Sequence, residues 1–197
     1  MLRVALTGGI ATGKSYVLAR FQRRGVPCLD SDVLAHGVMA AGTEATQQIA
    51  ARFGTDILAG DGSVNRVKLG PIVFADSAAR KDLEAIVHPA VYRAIAAGIR
   101  GFELIGGAPY AIVDVPLLFE TGHAQEFDRV IVTACSPETQ LARLRARGLT
   151  DDAARQRLAA QWPTAEKASR AHFVIHTDGT FEETDRQADA IHVRLQT

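Results

Sequence analysis

Five short runs of mostly apolar residues are spaced along the chain and have the composition of β-strands. They lie at residues 2–6, 26–29, 111–115, 129–133 and 173–175. Strands that are separated by helices form a parallel sheet with helices on both faces. The pattern therefore predicts an α/β fold around a five-stranded parallel sheet.

Helices are expected between and after these strands, where apolar residues recur at helical spacing. The stretches concerned are residues 16–24, 45–53, 77–105, 151–161 and 181–195. The last of them predicts an amphipathic helix that covers one face of the sheet. Gly25 is the expected C-cap of the first helix, and Pro89 is expected to start or kink a helix.

The alternation of strands and helices is interrupted in the first half of the chain, where helical patterns occur without a clear strand. We therefore expect a helical lobe at about 33–107, inserted between the second and third strands, where a second substrate could be held. The sheet core would comprise residues 1–32, 108–145 and 169–197, with a helical lid at about 146–168. At 197 residues, this organisation fits one domain with an inserted lobe.

Charge narrows the choice of partners. The 22 basic and 22 acidic residues cancel at pH 7, so no overall field attracts nucleic acid or a membrane surface. Any anion site must therefore be local. No run approaches about 18 apolar residues, and the N-terminus leads directly into a strand, so we expect a cytoplasmic protein. Cys28 and Cys135 fit small buried hydrophobic residues.

A phosphate-binding loop, or P-loop, follows the first strand. Residues 8–15 read GGIATGKS and match the pattern Gly-x-x-x-x-Gly-Lys-Ser/Thr. Backbone N–H groups that run into a helix N-terminus bind nucleotide phosphates, and glycines let the backbone approach them closely. Lys14 is expected to reach the β- and γ-phosphates, and the Ser15 hydroxyl to bind Mg²⁺. The nucleotide-binding residues predicted here are Ala11, Thr12, Gly13, Lys14, Ser15 and Tyr16.

Carboxylates lie at the ends of two of the predicted strands and would be near the bound phosphates, because strand ends in an α/β sheet face the ligand crevice. Asp30 or Asp32 could accept a proton from a substrate hydroxyl or help to hold Mg²⁺. Asp30 could equally cap the helix that begins near Val33. Asp114 is placed as a metal ligand, although a buried, hydrogen-bonded strand-end residue would look the same.

Two arginines mark the predicted lid. Arg143 and Arg147 are four residues apart and share one helix face, which suits a lid that closes over phosphates and excludes water. A solvated face that pairs with Glu138, Asp151 and Asp152 would show the same pattern. Both interpretations stay open at this point.

The residues alone indicate a class of enzyme. A GTPase would carry a guanine-reading signal such as Asn-Lys-x-Asp, and a motor or transporter ATPase would need more length and coupling motifs. A small-molecule kinase needs a nucleotide loop, an acceptor site and a lid. A regulatory nucleotide-binding module without turnover is a further alternative, but it would not require the acceptor-side carboxylate Asp32.

The chain also resembles the dephospho-coenzyme A kinase family along nearly its whole length. The resemblance rests on motifs that occur in the family's order: LTGGI into the P-loop, Asp30-Ser31-Asp32 with Ala35-His36, residues 83–89 (LEAIVHP), residues 115–120 (VPLLFE), Gln140 with Arg143 and Arg147, and Gln161. It implies a P-loop kinase fold with a helical substrate lobe. The alternative within the class is another P-loop kinase, for a nucleoside or another small metabolite.

The resemblance implies transfer of the γ-phosphoryl group of ATP, with Mg²⁺, to the ribose 3′-hydroxyl of dephospho-CoA. By position, Asp32 matches the family's general base, and Lys14, Arg143 and Arg147 would neutralise charge on the transferred group. The acceptor-binding residues expected on this basis are Asp32, His88, Leu117 and Glu120. The metal ligands would be Ser15 and Asp114, and the oligomeric state is left open.

The chain departs from the family pattern at three positions. Ala11 stands where the family usually has Gly, and Tyr16 stands where a small hydroxyl residue is common. Thr177 follows the last strand, where the family commonly has Asn. We expect phosphate binding to survive the extra methyl group of Ala11, whereas the local fit at Tyr16 and the recognition of the base near Thr177 are expected to differ.

Overall fold

The computed structural model describes residues 1–196. Its five strands are β1 (Leu2–Gly8), β2 (Cys28–Asp30), β3 (Tyr110–Asp114), β4 (Arg129–Ala134) and β5 (Phe173–His176). The α-helices of the described residues are α1 (Lys14–Arg23), α2 (Ser31–Val38), α3 (Glu44–Phe53), α4 (Arg66–Ala75), α5 (Ser77–Ile105), α6 (Pro137–Ala146), α7 (Asp151–Ala159), α8 (Thr164–Ser169) and α9 (Phe181–Leu195).

The strands form one sheet in the order β2-β3-β1-β4-β5. The central strand β1 runs parallel to both neighbours, with Leu2 opposite Tyr110 of β3 and Val4 opposite Arg129 of β4. Strand β5 continues the parallel pairing beyond β4. Residues 4–8 of β1 are buried throughout, as expected for a strand covered on both faces. The predicted α/β fold with a five-stranded parallel sheet and flanking helices is confirmed.

The main hydrophobic core lies between this sheet and the first and last helices. It joins sheet residues such as Leu6 and Ile131 with Val17 and Phe21 of α1 and Ile191 of α9. The apolar positions of both helices recur at helical spacing, so each buries one stripe against the strands. The amphipathic C-terminal helix was predicted from this stripe and occupies the expected residues.

Local signals explain where these two helices begin and end. Gly25 has φ 80° just after α1, and the N–H groups of Gly25 and Val26 donate to carbonyls of the last helical turn. This is the left-handed C-cap expected from the sequence. At the start of α9, Thr180 and Glu183 form a capping box, in which each side chain accepts the other residue's backbone N–H.

The chain forms two compact units, one of residues 1–29 and 102–197 and the other of residues 30–101. The first unit contains most of the sheet and α6 to α9. The second is helical, and its own core gathers residues of α3, α4 and α5 around Ile49 and Leu69. Across residues 1–196, no helix has both the length and the apolar character needed to cross a membrane.

Two helical features add to the expectation. Of the two effects expected of Pro89, starting a helix does not occur, because Pro89 lies inside the continuous helix α5. Helix α8 was not predicted as a separate element, since six residues are too few to show a helical period. Its position matters for the site, because α8 packs against β4 beside the P-loop strand.

Candidate active site

The P-loop connects the buried strand β1 to helix α1. Gly13 precedes the helix with φ 81°, and no side chain caps its N-terminus. The first turn also contains no acidic residue. The first N–H groups of a helix have no partner within the helix, and the helix dipole makes this end positive. The N-terminus of α1 is therefore suited to an anion.

Glycine is required at the start of the loop because side chains press against it. A Cβ atom on Gly8 would lie 2.2 Å from Thr133 Oγ1, and one on Gly9 would lie 2.5 Å from Thr164 Oγ1. Thr12 closes the turn, since its hydroxyl donates to the carbonyl oxygen of Gly9 at 2.7 Å. The loop is thus fixed by contacts with β4 and α8.

Lys14 and Asp114 form an ion pair between the start of α1 and the end of β3. The side chains are 17% and 8% exposed, so the pair is shielded from most solvent. Ser15 follows Lys14 and is exposed. A hydroxyl oxygen and a carboxylate are ligands that Mg²⁺ accepts. The described residues contain no group of three His, Cys, Asp or Glu side chains that could hold a metal by themselves.

Two cavities lie along the loop. One of about 320 Å³ is lined by residues 8–16 together with Pro116, Arg147 and Gln161. The other, of about 400 Å³, is lined by residues that include Tyr16, Arg147, Thr177 and Phe181. The first offers backbone N–H groups and cations, whereas the second has aromatic walls, so together they match the phosphate end and the base end of a nucleotide.

Arg143 and Arg147, the two arginines of the predicted lid, have different surroundings. Arg143 Nη1 donates to the carbonyl oxygen of Ala11 at 3.0 Å, and Nη2 donates to the carbonyl oxygen of Thr177 at 2.5 Å. Its guanidinium thus holds the P-loop against the loop after β5. Arg147 is exposed at the C-cap of α6 and lines both cavities. Arg143 also lines the larger cavity, so both arginines place charge beside it, and Arg147 alone of the two lines the smaller one.

The three residues that depart from the family pattern lie at the P-loop or beside it. Ala11 has φ 61°, a left-handed conformation that residues with a side chain rarely adopt. Thr177 is 4% exposed, and its hydroxyl donates to the carbonyl oxygen of Thr12 at 2.9 Å. Tyr16 packs on Phe181 with ring centroids 4.7 Å apart. All three residues contact the loop or the base-end cavity.

The pKa values of groups around this site are shifted by burial and by hydrogen bonds. Burial and a hydrogen bond to Asp185 raise the pKa of Tyr16, so its hydroxyl stays protonated at neutral pH. The backbone N–H of Ser136 lowers the pKa of Asp178, so that carboxylate stays charged beside Thr177. Burial raises the pKa of Cys135, and it raises that of Cys28 to about 12, so neither thiol is an active nucleophile.

Asp30 and Asp32 belong to the unit of residues 30–101. Asp30 is the N-cap of α2, and its Oδ1 accepts the N–H groups of Asp32 at 2.8 Å and Val33 at 3.1 Å. The sequence left two roles open for Asp30, and these hydrogen bonds correspond to the capping role. Asp32 lies in the first turn of the helix with an exposed side chain, so its carboxylate is available for a substrate.

His88 lines a cavity of about 500 Å³ within the same unit. The walls are largely apolar and come from α2, α4 and α5, with Arg66 and Glu84 among the lining residues. Arg66 also contacts His36 through its guanidinium. The cavity therefore combines apolar surface with a small number of polar groups, as small-molecule sites commonly do.

The two remaining acceptor candidates differ from each other. Leu117 is 42% exposed. Glu120 Oε1, in contrast, accepts from Lys167 Nζ at 2.6 Å and from the N–H of Trp162 at 3.1 Å. The Lys167 side chain is completely buried. Glu120 therefore has a structural partner, and sequence reasoning did not identify Lys167, because nothing in its local pattern marks it as buried.

The sequence comparisons with known proteins agree on one family. The family model for dephospho-CoA kinase matches residues 2–183. The chain is similar to the dephospho-CoA kinase of Geobacillus kaustophilus, with 46% identity over 191 residues that cover 96% of this chain and 94% of that protein. The dephospho-CoA kinase of Geobacter sulfurreducens is also 46% identical and covers 95% of each chain.

Solved structures resemble the whole chain. The protein TT1252 from Thermus thermophilus has a TM-score of 0.83 at 32% identity and covers 100% of this chain and 98% of its own. The dephospho-CoA kinase from Campylobacter jejuni has a TM-score of 0.75 at 26% identity, with 98% and 96% covered. A shikimate kinase from Acinetobacter baumannii shares the fold alone, with a TM-score of 0.51 at 16% identity over 99% and 93% of the chains.

Proposed function

This chain belongs to the dephospho-CoA kinase family, and we propose that it transfers the γ-phosphoryl group of ATP to the ribose 3′-hydroxyl of dephospho-CoA. The products are CoA and ADP, in the last step of coenzyme A biosynthesis. The observation that carries this proposal is the family match over residues 2–183, which includes both the P-loop and the unit that contains Asp32 and His88.

On this proposal, the two cavities along the P-loop hold ATP. The phosphates lie against the N-terminus of α1, where backbone N–H groups, Lys14 and Arg147 neutralise their charge. Ser15 and Asp114 are the oxygen donors that fit Mg²⁺, which typically takes only one or two protein ligands beside substrate phosphates. A Mg²⁺ ion held there would offset the negative charge of the transferred phosphoryl group. Arg143 lines the larger cavity and adds its charge there, while its guanidinium also holds the loop in place.

The acceptor is bound by the unit of residues 30–101. Its apolar cavity with Arg66 and His88 suits the mixed apolar and anionic character of dephospho-CoA. Asp32 accepts the proton of the 3′-hydroxyl as the oxygen forms its bond to the γ-phosphorus. The bond from that phosphorus to the bridging oxygen of ADP breaks in the same transfer, so most of the catalysis is positioning and charge neutralisation.

The partner and location follow as predictions. We expect a small-molecule acceptor only, without a nucleic-acid or membrane partner, and a cytoplasmic location. The balanced formal charge supports the first expectation, because it gives no overall attraction to polyanions.

The test is ADP release by the purified protein with MgATP, measured with and without dephospho-CoA, and with the product mass checked for one added phosphate. Shikimate and a nucleoside serve as control acceptors. We expect ADP release that depends on dephospho-CoA together with formation of CoA. ADP release without this dependence, or turnover only with a control acceptor, would contradict the proposal.

A further inference from the structure

The backbone of Ile10, inside the P-loop, is held by two glutamine side chains, one on each of its adjoining peptide units. Gln161 Oε1 accepts the N–H of Ile10 at 2.8 Å, and Gln140 Nε2 donates to its carbonyl oxygen at 2.7 Å. Gln140 lies on α6 and is 4% exposed, whereas Gln161 lies in the connection between α7 and α8. These two contacts join the loop to helix α6 and to the connection between α7 and α8.

There is little free space around this contact. A Cβ atom on Gly9 would lie 2.8 Å from Gln140 Nε2, so the neighbouring residue leaves no room for movement toward α6. Thr164 Oγ1 donates to Gln140 Oε1 at 3.4 Å and fixes the orientation of that amide. On the other side, Arg143 holds the carbonyl oxygen of Ala11. Residues 9–11 therefore have one defined path.

Gln161 is fixed by a buried anchor next to it in the chain. The N–H of Trp162 donates to Glu120 Oε1, and the same oxygen accepts from the buried Lys167. The ring of Trp162 also stacks on Phe119, with centroids 6.2 Å apart. The backbone at Gln161 is consequently tied to the segment after β3, and its side chain is presented to the loop from a rigid base.

The orientation of the Gly9–Ile10 peptide unit, which Gln161 holds, controls the anion site. A loop binds phosphates when successive N–H groups point into the same cavity, and rotation of one peptide unit turns its neighbours away. Ala11, the next residue, already has a left-handed conformation that is costly for a residue with a side chain. Without a partner for the Ile10 N–H, the loop has less to oppose rotation. Gln161 also lines the phosphate cavity.

We propose that Gln161 is a positioning residue for nucleotide binding: its carboxamide oxygen holds the Ile10 peptide, and this keeps the P-loop in its phosphate-binding form. The inference rests on the proposed function only in that the loop binds ATP, and it requires no particular acceptor. It concerns the polyphosphate end of the nucleotide, so its effect grows with the number of phosphates that contact the loop.

The test compares MgATP with AMP as ligands of Q161M, which has a side chain of similar length without the acceptor oxygen. Affinities are measured by calorimetry, and Tm is measured for each variant. The matched control is Q156M, since Gln156 is exposed on the neighbouring helix α7. Loss of one hydrogen bond of ordinary strength is expected to weaken MgATP binding about tenfold in Q161M, with AMP binding changed less than about twofold.

In the expected result, Q156M matches the wild type and the Tm of Q161M stays within about 2 °C of it. An unchanged MgATP affinity, or an equal loss for MgATP and AMP, would overturn the inference. A large fall in Tm would also overturn it, because the contact would then support the fold rather than the loop. If dephospho-CoA is not the acceptor, this comparison still stands, so the two proposals fail separately.

Discussion

Opposing contributions of similar size to the free energy of unfolding act at Ala11. Its left-handed conformation costs about 1–2 kcal/mol for a residue with a Cβ. Its methyl group, however, is buried against Leu144 and Ala154, and a buried methyl contributes about 0.8 kcal/mol. Replacement by glycine also increases the entropy of the unfolded chain, by about 0.4–1 kcal/mol. The gain and the losses nearly cancel.

We therefore expect Ala11→Gly to change the free energy of unfolding by less than about 1 kcal/mol in either direction. Chemical denaturation measures it. Ala142→Gly is the control, since Ala142 is exposed inside α6 and glycine there costs about 1 kcal/mol without compensation. A loss in Ala11→Gly larger than that in the control would show that burial of the methyl group outweighs the relief of strain.

Asp32 and Asp30 provide a second comparison of neighbouring residues. Removal of a general base typically costs 10²–10⁴-fold in rate, so we expect Asp32→Asn to lower kcat by roughly that range with little change in MgATP affinity. Asp30→Asn should leave kcat nearly unchanged, because asparagine caps helices as well as aspartate does. Steady-state kinetics with dephospho-CoA check both variants. An unchanged kcat in Asp32→Asn would remove this residue from the role of base.

At the scale of single residues, the sequence predicts the kind of site better than it predicts which groups a side chain contacts. The order of strand, glycine loop and helix was enough to predict the nucleotide loop and the place of Lys14. The engagement of Arg143 with two backbone carbonyls was not predictable, because a helix pattern shows which residues share a face but not what that face meets. The buried Lys167 was missed for a similar reason, since its partner Glu120 lies 47 residues earlier in the chain.

At the scale of elements, a buried ion pair joins the short helix α8 to Glu120, in the segment between β3 and β4. Lys167 is completely buried, and the second oxygen of Glu120 is buried without a hydrogen-bond partner among the described residues. Removing the lysine would leave a buried carboxylate without its cation. Breaking one partner of such a pair costs about 3–5 kcal/mol, whereas replacing both partners is often much less costly.

We expect Lys167→Met to lower the free energy of unfolding by about 3–5 kcal/mol, and the double variant with Glu120→Gln to recover part of that loss. Denaturant titrations of the single and double variants measure both effects. Lys68→Met serves as the control, because Lys68 is exposed on α4 and should contribute less than about 0.5 kcal/mol. Equal losses in the single and double variants would contradict the assigned role of the pair.

Elements with a complete amphipathic stripe were predictable, and short or interrupted ones were not. Helix α9 has both a stripe and a capping box, so local and tertiary preferences agree. Helix α8 is too short to show a period. Pro89 lies inside α5 although a proline normally interrupts a helix, which shows that packing along the rest of this long helix outweighs one unfavourable position.

At the scale of the whole molecule, the first and last helices hold the two ends of the chain together. Asp189 of α9 accepts from Arg20 of α1 at 3.0 and 2.6 Å, and it also pairs with Arg24. These hydrogen bonds lower the pKa of Asp189 to about 2. Since residues 20 and 189 are so distant in sequence, the pair links segments that only the folded state brings together.

The lowered pKa predicts a specific dependence of stability on pH. A carboxyl whose pKa is lower in the folded state stabilises that state above its unfolded value of about 4, and the contribution is lost as the pH falls toward 2. We expect Asp189→Asn to lower stability by about 1 kcal/mol at pH 7, because the group is partly exposed and screened. The difference from wild type should vanish near pH 2.

Thermal or urea unfolding between pH 2 and 7 measures this difference. Asp56→Asn is the comparison variant, since Asp56 is an exposed aspartate far from α1 and α9 in the sequence. If the stability difference between wild type and Asp189→Asn were the same at pH 7 and pH 2, the ion pair would not be its cause.

The position of β1 at the centre of the sheet has a consequence for biosynthesis. The strand is synthesised well before both of its neighbours, whose paired residues begin at Tyr110 and Arg129. At about 5–20 residues per second, translation needs roughly 5–20 s to reach the first of them. During that interval both edges of the strand are unpaired, although its residues 4–8 are buried in the folded protein. Cotranslational folding of the nucleotide site must therefore wait until β3 and β4 have been synthesised, and molecular chaperones have a defined window in which to protect β1.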